Sequence, residues 1–196
     1  MGTSTSKNVV TTSITFIFVW FWCLTIVSAT SKQCGNNGAI FGNQVVVSKS
    51  ANSAWSVAAG DLNNDGWMDI ASASAGDNKI AWYSNTKGKS WSGERDVSTN
   101  AISANKVVVA DFNNDGALDL ASSSQMDNKI AWYNNTDGNG NFSQEIVVAT
   151  NAFGAKSVAV GDFDSDGWQD LTAAFTNYIV WYKNFNGTHF SEQKIV

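Results

Sequence analysis

The sequence predicts an all-β protein, a β-propeller of four-stranded antiparallel blades, and three observations support this fold class. An acidic segment recurs three times, beginning at Asp61, Asp111 and Asp162, with spacings of 50 and 51 residues. A strand pattern of the form Ile-x-Trp-Tyr follows each copy. Short apolar runs without a long helical period fill the remaining sequence. Repeats of about 50 residues with four short strands each are typical of propeller blades.

The first element in the chain is an export signal, predicted at residues 1–29. Lys7 is the only charged residue before position 32, and an apolar run follows at 14–27. Residues 27–29 (Val-Ser-Ala) form a small-residue cleavage site. An uncleaved membrane anchor is the alternative, but the run is shorter than the roughly 20 residues that span a bilayer. The sequence therefore predicts an extracellular or cell-surface protein without membrane insertion after cleavage.

The composition argues against some classes of binding partner and against stabilisation by disulfides. A net charge of −5 argues against nucleic acid or an anionic membrane as a partner. Cys23 falls in the predicted signal, so Cys34 remains alone and provides neither a disulfide framework nor a zinc site. Proline is absent, and Gly, Asn and Asp must therefore make the turns. The blades need another source of stability.

A short linker is predicted at 30–40, and propeller blades are predicted over 41–196. The repeats are placed at about 43–94, 95–145 and 146–193. The first strand after the linker, 41–47, matches the outermost strand of a blade, as does 190–196 at the other end. An outer strand at the N-terminus normally completes the last blade of a closed ring, and propellers have about four to eight blades. We therefore expect three blades of a larger ring, with self-association of short chains as the alternative.

Each repeat is predicted to hold four strands. The first strands are runs of mainly Val, Ala and Gly, of the kind that is buried on both faces, at 56–60, 106–110 and 157–161. The second strands are rich in small residues, at 70–74, 120–124 and 171–175. The third strands carry the Trp-Tyr pairs, at 80–83, 130–133 and 179–182. An aromatic residue is expected to open each fourth strand, at Phe41, Trp91, Phe142 and Phe190.

The acidic segments have the spacing of a calcium-binding loop. Ca²⁺ takes six to eight oxygen ligands, and oxygen-bearing side chains occupy positions 1, 3, 5 and 9 of each nine-residue segment. Glycine at position 6 permits a sharp backbone reversal, and the carbonyl of position 7 supplies a further oxygen. The predicted ligands are Asp61, Asn63, Asp65, Trp67 and Asp69 in the first loop, Asp111, Asn113, Asp115, Ala117 and Asp119 in the second, and Asp162, Asp164, Asp166, Trp168 and Asp170 in the third.

Two alternatives compete with this interpretation. Asp, Asn and Gly are common hairpin residues, but that explanation does not account for four oxygen ligands in register three times over. An EF-hand needs a glutamate at position 12, where Ser72, Ser122 and Ala173 stand instead. We expect three structural Ca²⁺ ions that tie the first strand of each blade to the second. The third loop, with four carboxylates, is expected to bind most tightly.

The alternation of a Val/Ala strand, a DxNxDGxxD or DxDxDGxxD loop and a Trp-Tyr-x-Asn strand resembles the FG-GAP/VCBS repeats of integrin-α-like propellers. The resemblance covers roughly residues 41–196. It implies a ring of about seven blades and calcium in the corresponding loops. Phe-Gly pairs occur at 41–42 and 153–154, but the chain lacks the Gly-Ala-Pro element because it has no proline. Integrin-type ligand recognition is therefore not implied.

Members of this family include adhesion proteins, lectins and accessory modules of polysaccharide-acting enzymes, so two functions stay open. The first is a binding or adhesion module for a glycan or a surface protein. Trp67 and Trp168 beside the metal loops could stack on sugar rings, or they could pack between blades, as the Trp-Tyr pairs are expected to do. The second is part of a larger extracellular polysaccharide-acting enzyme. The single histidine, His189, has no nucleophile paired with it in the sequence, which favours a protein that is not an enzyme.

Overall fold

The computed structural model describes residues 42–191 and 194–195. The chain divides into two units, Met1–Val46 and Val47–Val196. The predicted signal, the linker, both cysteines and Phe41 lie outside the described residues. In the first unit, residues 42–46 carry no strand. Within the described ranges, no helix has the length and apolar character needed to cross a membrane.

The second unit contains three four-stranded antiparallel sheets, in each of which the strands pair in chain order. Blade 1 consists of β1 (Ala54–Gly60), β2 (Asp69–Ser74), β3 (Lys79–Tyr83), a hairpin of β4 (Asn85–Thr86) and β5 (Ser90–Trp91), and β6 (Arg95–Ser98). Blade 2 consists of β7 (Ala104–Ala110), β8 (Asp119–Ser124), β9 (Lys129–Tyr133) and β10 (Ile146–Ala149). Blade 3 consists of β11 (Ser157–Gly161), β12 (Asp170–Ala174), β13 (Ile179–Tyr182), a hairpin of β14 (Asn184–Phe185) and β15 (His189–Phe190), and β16 (Lys194–Ile195). The all-β class and the four-stranded blades predicted from the sequence are confirmed.

The outer strands differ from the prediction. The aromatic residues expected to open them instead close a small hairpin that precedes each outer strand: Trp91 lies in β5, Phe190 lies in β15, and Phe142 bridges Asn135. The outer strands begin at 95, 146 and 194, so the boundaries predicted near 94, 145 and 193 separate each outer strand from its own sheet. Two-residue ladders in segments rich in Gly and Asn leave no periodic pattern in the sequence.

The strand predicted at 41–47 is also not formed in its described part, residues 42–47. A strand needs a neighbour that pairs its N–H and C=O groups. The third strands β3, β9 and β13 already pair with β6, β10 and β16. Within the described residues, every position for an outer strand is therefore taken.

The apolar core lies between consecutive blades. One cluster joins blades 1 and 2 through buried side chains such as Leu62, Trp82 and Val107, and a second cluster joins blades 2 and 3. Four members of the Trp-Tyr pairs belong to this core as predicted, namely Trp82, Trp132, Tyr133 and Tyr182. Tyr83 is also buried, whereas Trp181 is half-buried. The first strands are not all buried on both faces, however. Val57 and Ala59 of β1 are exposed, and so is Ala159 of β11.

Candidate acidic loops and the junction hairpin

The three acidic loops share one backbone conformation. Position 4 (Asn64, Asn114 and Ser165) has a positive φ between 53° and 61°. The glycine at position 6 has a φ of 85° to 90°, a conformation that residues with a Cβ rarely adopt. The role predicted for this glycine is therefore confirmed. The left-handed residues at positions 4 and 6 turn the chain back on itself.

The position-1 carboxylate organises each loop. Asp61 accepts the backbone N–H of Asp65 at 3.0 Å on Oδ1 and that of Gly66 at 2.8 Å on Oδ2. Asp111 and Asp162 accept the same two donors in their loops at 2.9–3.2 Å. The position-5 carboxylate accepts the N–H of position 7 at 2.8–3.0 Å. The sequence therefore folds these loops around their own carboxylates.

The position-9 aspartate has a different environment. Asp69, Asp119 and Asp170 are all fully buried. Asp119 accepts the N–H of Phe112 at 3.1 Å and that of Asn135 at 2.8 Å, one on each oxygen. Burial raises the pKa of Asp119 to about 6 and also raises the pKa of Asp69. Both carboxylate oxygens of Asp119 accept hydrogen bonds from backbone N–H groups, so this residue anchors the acidic loop to the segment after the third strand. The sequence analysis predicted Asp119 only as a calcium ligand and did not include this anchoring role.

One loop gathers three carboxylates closely. The ligand oxygens of Asp162, Asp164 and Asp166 lie within 4.8 Å of one another, and Asp170 is not part of this group. Ca²⁺–oxygen bonds of about 2.3–2.6 Å place coordinating oxygens up to about 5 Å apart across the ion. The group can therefore hold a metal ion. In the first two loops position 3 is Asn, and its Nδ2 donates to the position-5 carboxylate at 3.2 Å (Asn63) and 2.8 Å (Asn113).

A lysine outside the predicted ligand set enters the third loop. Lys183, the residue after the Trp-Tyr pair, makes ion pairs with Asp164 and with Asp166, the latter at 2.5 Å. These contacts raise the pKa of Lys183 and lower the pKa of Asp166. The equivalent residues in the other blades are neutral: Ser84 accepts from Asn63 at 3.2 Å and Asn134 accepts from Asn113 at 3.3 Å. A repeat-by-repeat comparison of the residue after Trp-Tyr would have identified this difference.

The asparagine two residues after each Trp-Tyr pair is a second residue that the sequence interpretation did not assign. Asn135 Nδ2 donates to the Leu62 carbonyl of the preceding blade at 2.9 Å and to Leu118 O of its own loop at 3.1 Å. Asn184 repeats this pattern with Phe112 O at 2.7 Å and Gln169 O at 2.9 Å. The occurrence of Trp-Tyr-x-Asn in all three repeats was the signal in the sequence that could have identified this asparagine. Among the described residues, this side chain links the first and the second acidic loop to the next blade.

The two tryptophans proposed for sugar stacking differ in exposure. Trp67 is 42% exposed, whereas Trp168 is half-buried. Each ring lies beside the hairpin of its own blade: a Cβ at Gly187 would lie 2.9 Å from the Trp168 ring, and a Cβ at Gly88 would lie 3.4 Å from the Trp67 ring. His189 is exposed and stacks on Phe185 with ring centroids 5.0 Å apart.

Repeated four-stranded sheets with acidic loops after their first strands define a repeat protein built of β-propeller blades. A family model described as FG-GAP-like repeat matches residues 61–122 and 111–173. These matches span 61–173, more than half of the chain, and the chain belongs to this family. The resemblance inferred from the acidic loops is confirmed.

No curated protein matches the sequence. Among solved structures, the chain is similar to a lectin from Agrocybe aegerita, from a study of specific recognition of non-reducing terminal N-acetylglucosamine. The TM-score is 0.54 and the sequence identity is 18%, and the alignment covers 71% of this chain. The chain spans 37% of the length of that lectin. At this identity the likeness concerns the fold.

Proposed function

We propose that this protein is a secreted, calcium-stabilised propeller module that binds a glycan. The observation that supports the binding function is the fold, which is similar to that of a lectin that recognises non-reducing terminal N-acetylglucosamine. Fold alone does not determine a ligand, so the choice of a glycan over a surface protein is the part that needs testing. Terminal N-acetylglucosamine is the first sugar to test.

Calcium is the ion that we propose for the acidic loops. Positions 1, 3 and 5 supply the side-chain oxygens in each loop, with the position-7 carbonyl as a further donor and the position-9 carboxylate holding the loop to its blade. The convergence of three carboxylates at Asp162, Asp164 and Asp166 supports this assignment. A hard divalent cation neutralises these acids and ties the first strand of each blade to the second. The ion is structural in this proposal, and it keeps the blade edges in a conformation that can bind a ligand.

Trp67 is the residue that we propose to contact the sugar. Its ring is partly exposed beside an acidic loop, and aromatic rings offer sugars a flat apolar face. Trp168 is half-buried and serves as the comparison residue. We expect Trp67→Ala to abolish most glycan binding and Trp168→Ala to change mainly stability.

A glycan array probed with the purified protein tests this function. In millimolar calcium we expect binding to arrays that present terminal N-acetylglucosamine, and we expect EDTA to weaken it. Met126→Ala, at a residue that is 77% exposed on blade 2, serves as the matched control and should bind as the unmodified protein does. A folded, calcium-loaded protein that binds no glycan would overturn the glycan assignment and direct the search to protein ligands.

A thermal melt in calcium and in EDTA tests the metal separately. A ligand at 100-fold excess over its Kd stabilises the folded state by about 2.7 kcal/mol per site. We expect cooperative unfolding at a clearly higher temperature in calcium than in EDTA. Identical melts in the two buffers would reduce the acidic loops to turns, whatever the array result.

A further inference from the structure

Three Asn-x-Ser/Thr sequences in the chain are not explained by the proposed sugar and calcium sites. Their asparagines are Asn134, Asn141 and Asn186. In a secreted protein such a sequence accepts an N-linked glycan, a bulky and hydrophilic group that has to lie at the surface. The fold therefore decides which of the three side chains has room for this group.

The side chain of Asn134 is engaged within the blade. It is half-buried, and its Oδ1 accepts from Asn113 Nδ2 of the second acidic loop at 3.3 Å. The next residue, Asn135, is 1% exposed and donates to a carbonyl of the preceding blade. A glycan on Asn134 would occupy space beside the acidic loop and next to a buried contact between blades, so this position does not suit the modification.

Asn141 is exposed, but its amide nitrogen is engaged. Asn141 Nδ2 donates to Asp137 Oδ2 at 2.6 Å. Ser143, the hydroxyl residue of this sequence, is half-buried. Between the two, Phe142 packs on Trp82 of the preceding blade, with ring centroids 6.4 Å apart. This sequence is therefore part of a blade junction, and we expect it to carry less glycan than an open loop does.

Asn186 lies in the loop 186–188 at the tip of the β14–β15 hairpin. Its side chain is exposed and, among the described residues, forms no hydrogen bond. Thr188, the hydroxyl residue of this sequence, is also exposed. The loop is closed within the hairpin, because Phe185 O accepts from Thr188 N at 3.1 Å and from Thr188 Oγ1 at 2.7 Å. Asn186 is thus the acceptor that the fold leaves open.

We propose that Asn186 carries an N-linked glycan and that Asn134 does not, an inference that rests on the secretion included in the proposed function. The donor is an oligosaccharide joined through a diphosphate to a membrane lipid. A bond forms between Asn186 Nδ2 and C1 of the first sugar, and the bond from C1 to the diphosphate oxygen breaks. The lipid diphosphate leaves, and one amide proton passes to solvent. No hydrogen bond among the described residues is lost.

The hairpin also offers the attached glycan a surface. Phe185, next to the acceptor, is 39% exposed. Its ring stacks on the exposed His189 with centroids 5.0 Å apart. Because aromatic rings offer sugars a flat apolar face, the first sugar can pack on this pair. The glycan then covers an apolar side chain that is exposed in the unmodified fold.

Mass spectrometry of the full chain, secreted with its own N-terminal segment from cultured eukaryotic cells, tests this proposal. We expect the intact mass to fall by at least one glycan on treatment with peptide N-glycosidase. That enzyme converts a glycosylated asparagine to aspartate, and peptide mapping should find this conversion at position 186. Asn186→Gln should remove the glycan from this peptide. Asn134→Gln is the matched control and should leave the glycan in place.

Two results would overturn the site: a secreted protein in which Asn186 is unmodified, or one in which Asn134 carries as much glycan as Asn186. Retention of the chain inside the cell would contradict the proposed secretion and not the site. The same chain behind an established export signal then measures the site separately, and an unmodified Asn186 in that form would overturn it.

Discussion

The second and third acidic loops have the same backbone but a different arrangement of charge. In the second loop Asn113 occupies position 3 and contacts the neutral Asn134. In the third loop Asp164 occupies position 3 and pairs with Lys183. The added carboxylate thus comes with an added ammonium, and both sites have the same formal charge of −3 once the lysine is included. The expectation that the third loop binds calcium most tightly came from counting its carboxylates, and the contact with Lys183 removes the basis for it.

The position-9 aspartate is common to both loops, and its removal should have the largest effect. Asp119→Ala deprives two buried backbone N–H groups, those of Phe112 and Asn135, of their acceptor. Each unsatisfied buried donor costs about 1–3 kcal/mol, so the free energy of unfolding should fall by about 2–5 kcal/mol. Urea unfolding in EDTA measures this loss without calcium. Asp115→Ala, at an exposed position of the same loop, is the control and should cost much less.

The hairpin of blade 3 presses on the second loop, and a pair of glycine variants measures that contact. A Cβ at Gly187 would lie 2.5 Å from Asn113 Cα, whereas one at Gly88 would meet nothing closer than 3.4 Å. Their φ values of 67° and 69° are nearly equal, so the backbone strain of an alanine is the same in both. Gly187→Ala should destabilise the protein by about 1–3 kcal/mol more than Gly88→Ala, the usual cost of overpacking. Equal melting temperatures for the two variants would contradict this junction.

Exchanging the residues after the Trp-Tyr pairs should exchange the calcium affinities of the loops. Lys183→Asn removes an ammonium that competes with the metal, so the third loop should bind Ca²⁺ about tenfold more tightly by the Coulomb attraction regained. Asn134→Lys should weaken the second loop by a similar factor. Isothermal titration calorimetry with Ca²⁺ measures the affinity of the altered loop, and the unaltered loops of the same variant serve as the reference. If the Ca²⁺ affinity of the third loop is the same in Lys183→Asn and in the unmodified protein, breaking the Lys183 ion pairs does not oppose calcium binding, and this prediction is wrong.

The last prediction concerns the proton on Asp119. Burial raises the pKa of this carboxyl from 3.8 in the unfolded chain to about 6 in the metal-free fold. The folded state then binds the proton more tightly, so this residue contributes stability below about pH 4 that is lost as the pH rises through 6. Carbon-detected NMR of Asp119 in EDTA should give a midpoint near 6. Added calcium should lower that midpoint, and an unchanged value would place Asp119 outside the influence of the ion.

The sequence by itself determined the blade and its acidic loop. Both depend on neighbours a few residues apart: a run of small residues in β8, and aspartates at fixed spacing with a left-handed glycine at Gly116. Such local signals repeat with each blade and can be recognised without knowing what packs on them. The hairpins around Phe142 and Phe190 were missed because their ladders of one or two residues leave no local period.

Tertiary structure alone decided which residues at equivalent positions of the repeats have the same burial and the same charged contacts. Val57 and Val107 read alike in the sequence, but one is exposed and the other is buried, because burial depends on whether another blade lies against that face. The contact of Lys183 with Asp164 joins residues 19 positions apart, and it exists only because the third strand returns beside the loop. A repeated sequence specifies repeated conformations, while charge and burial depend on what each repeat has next to it.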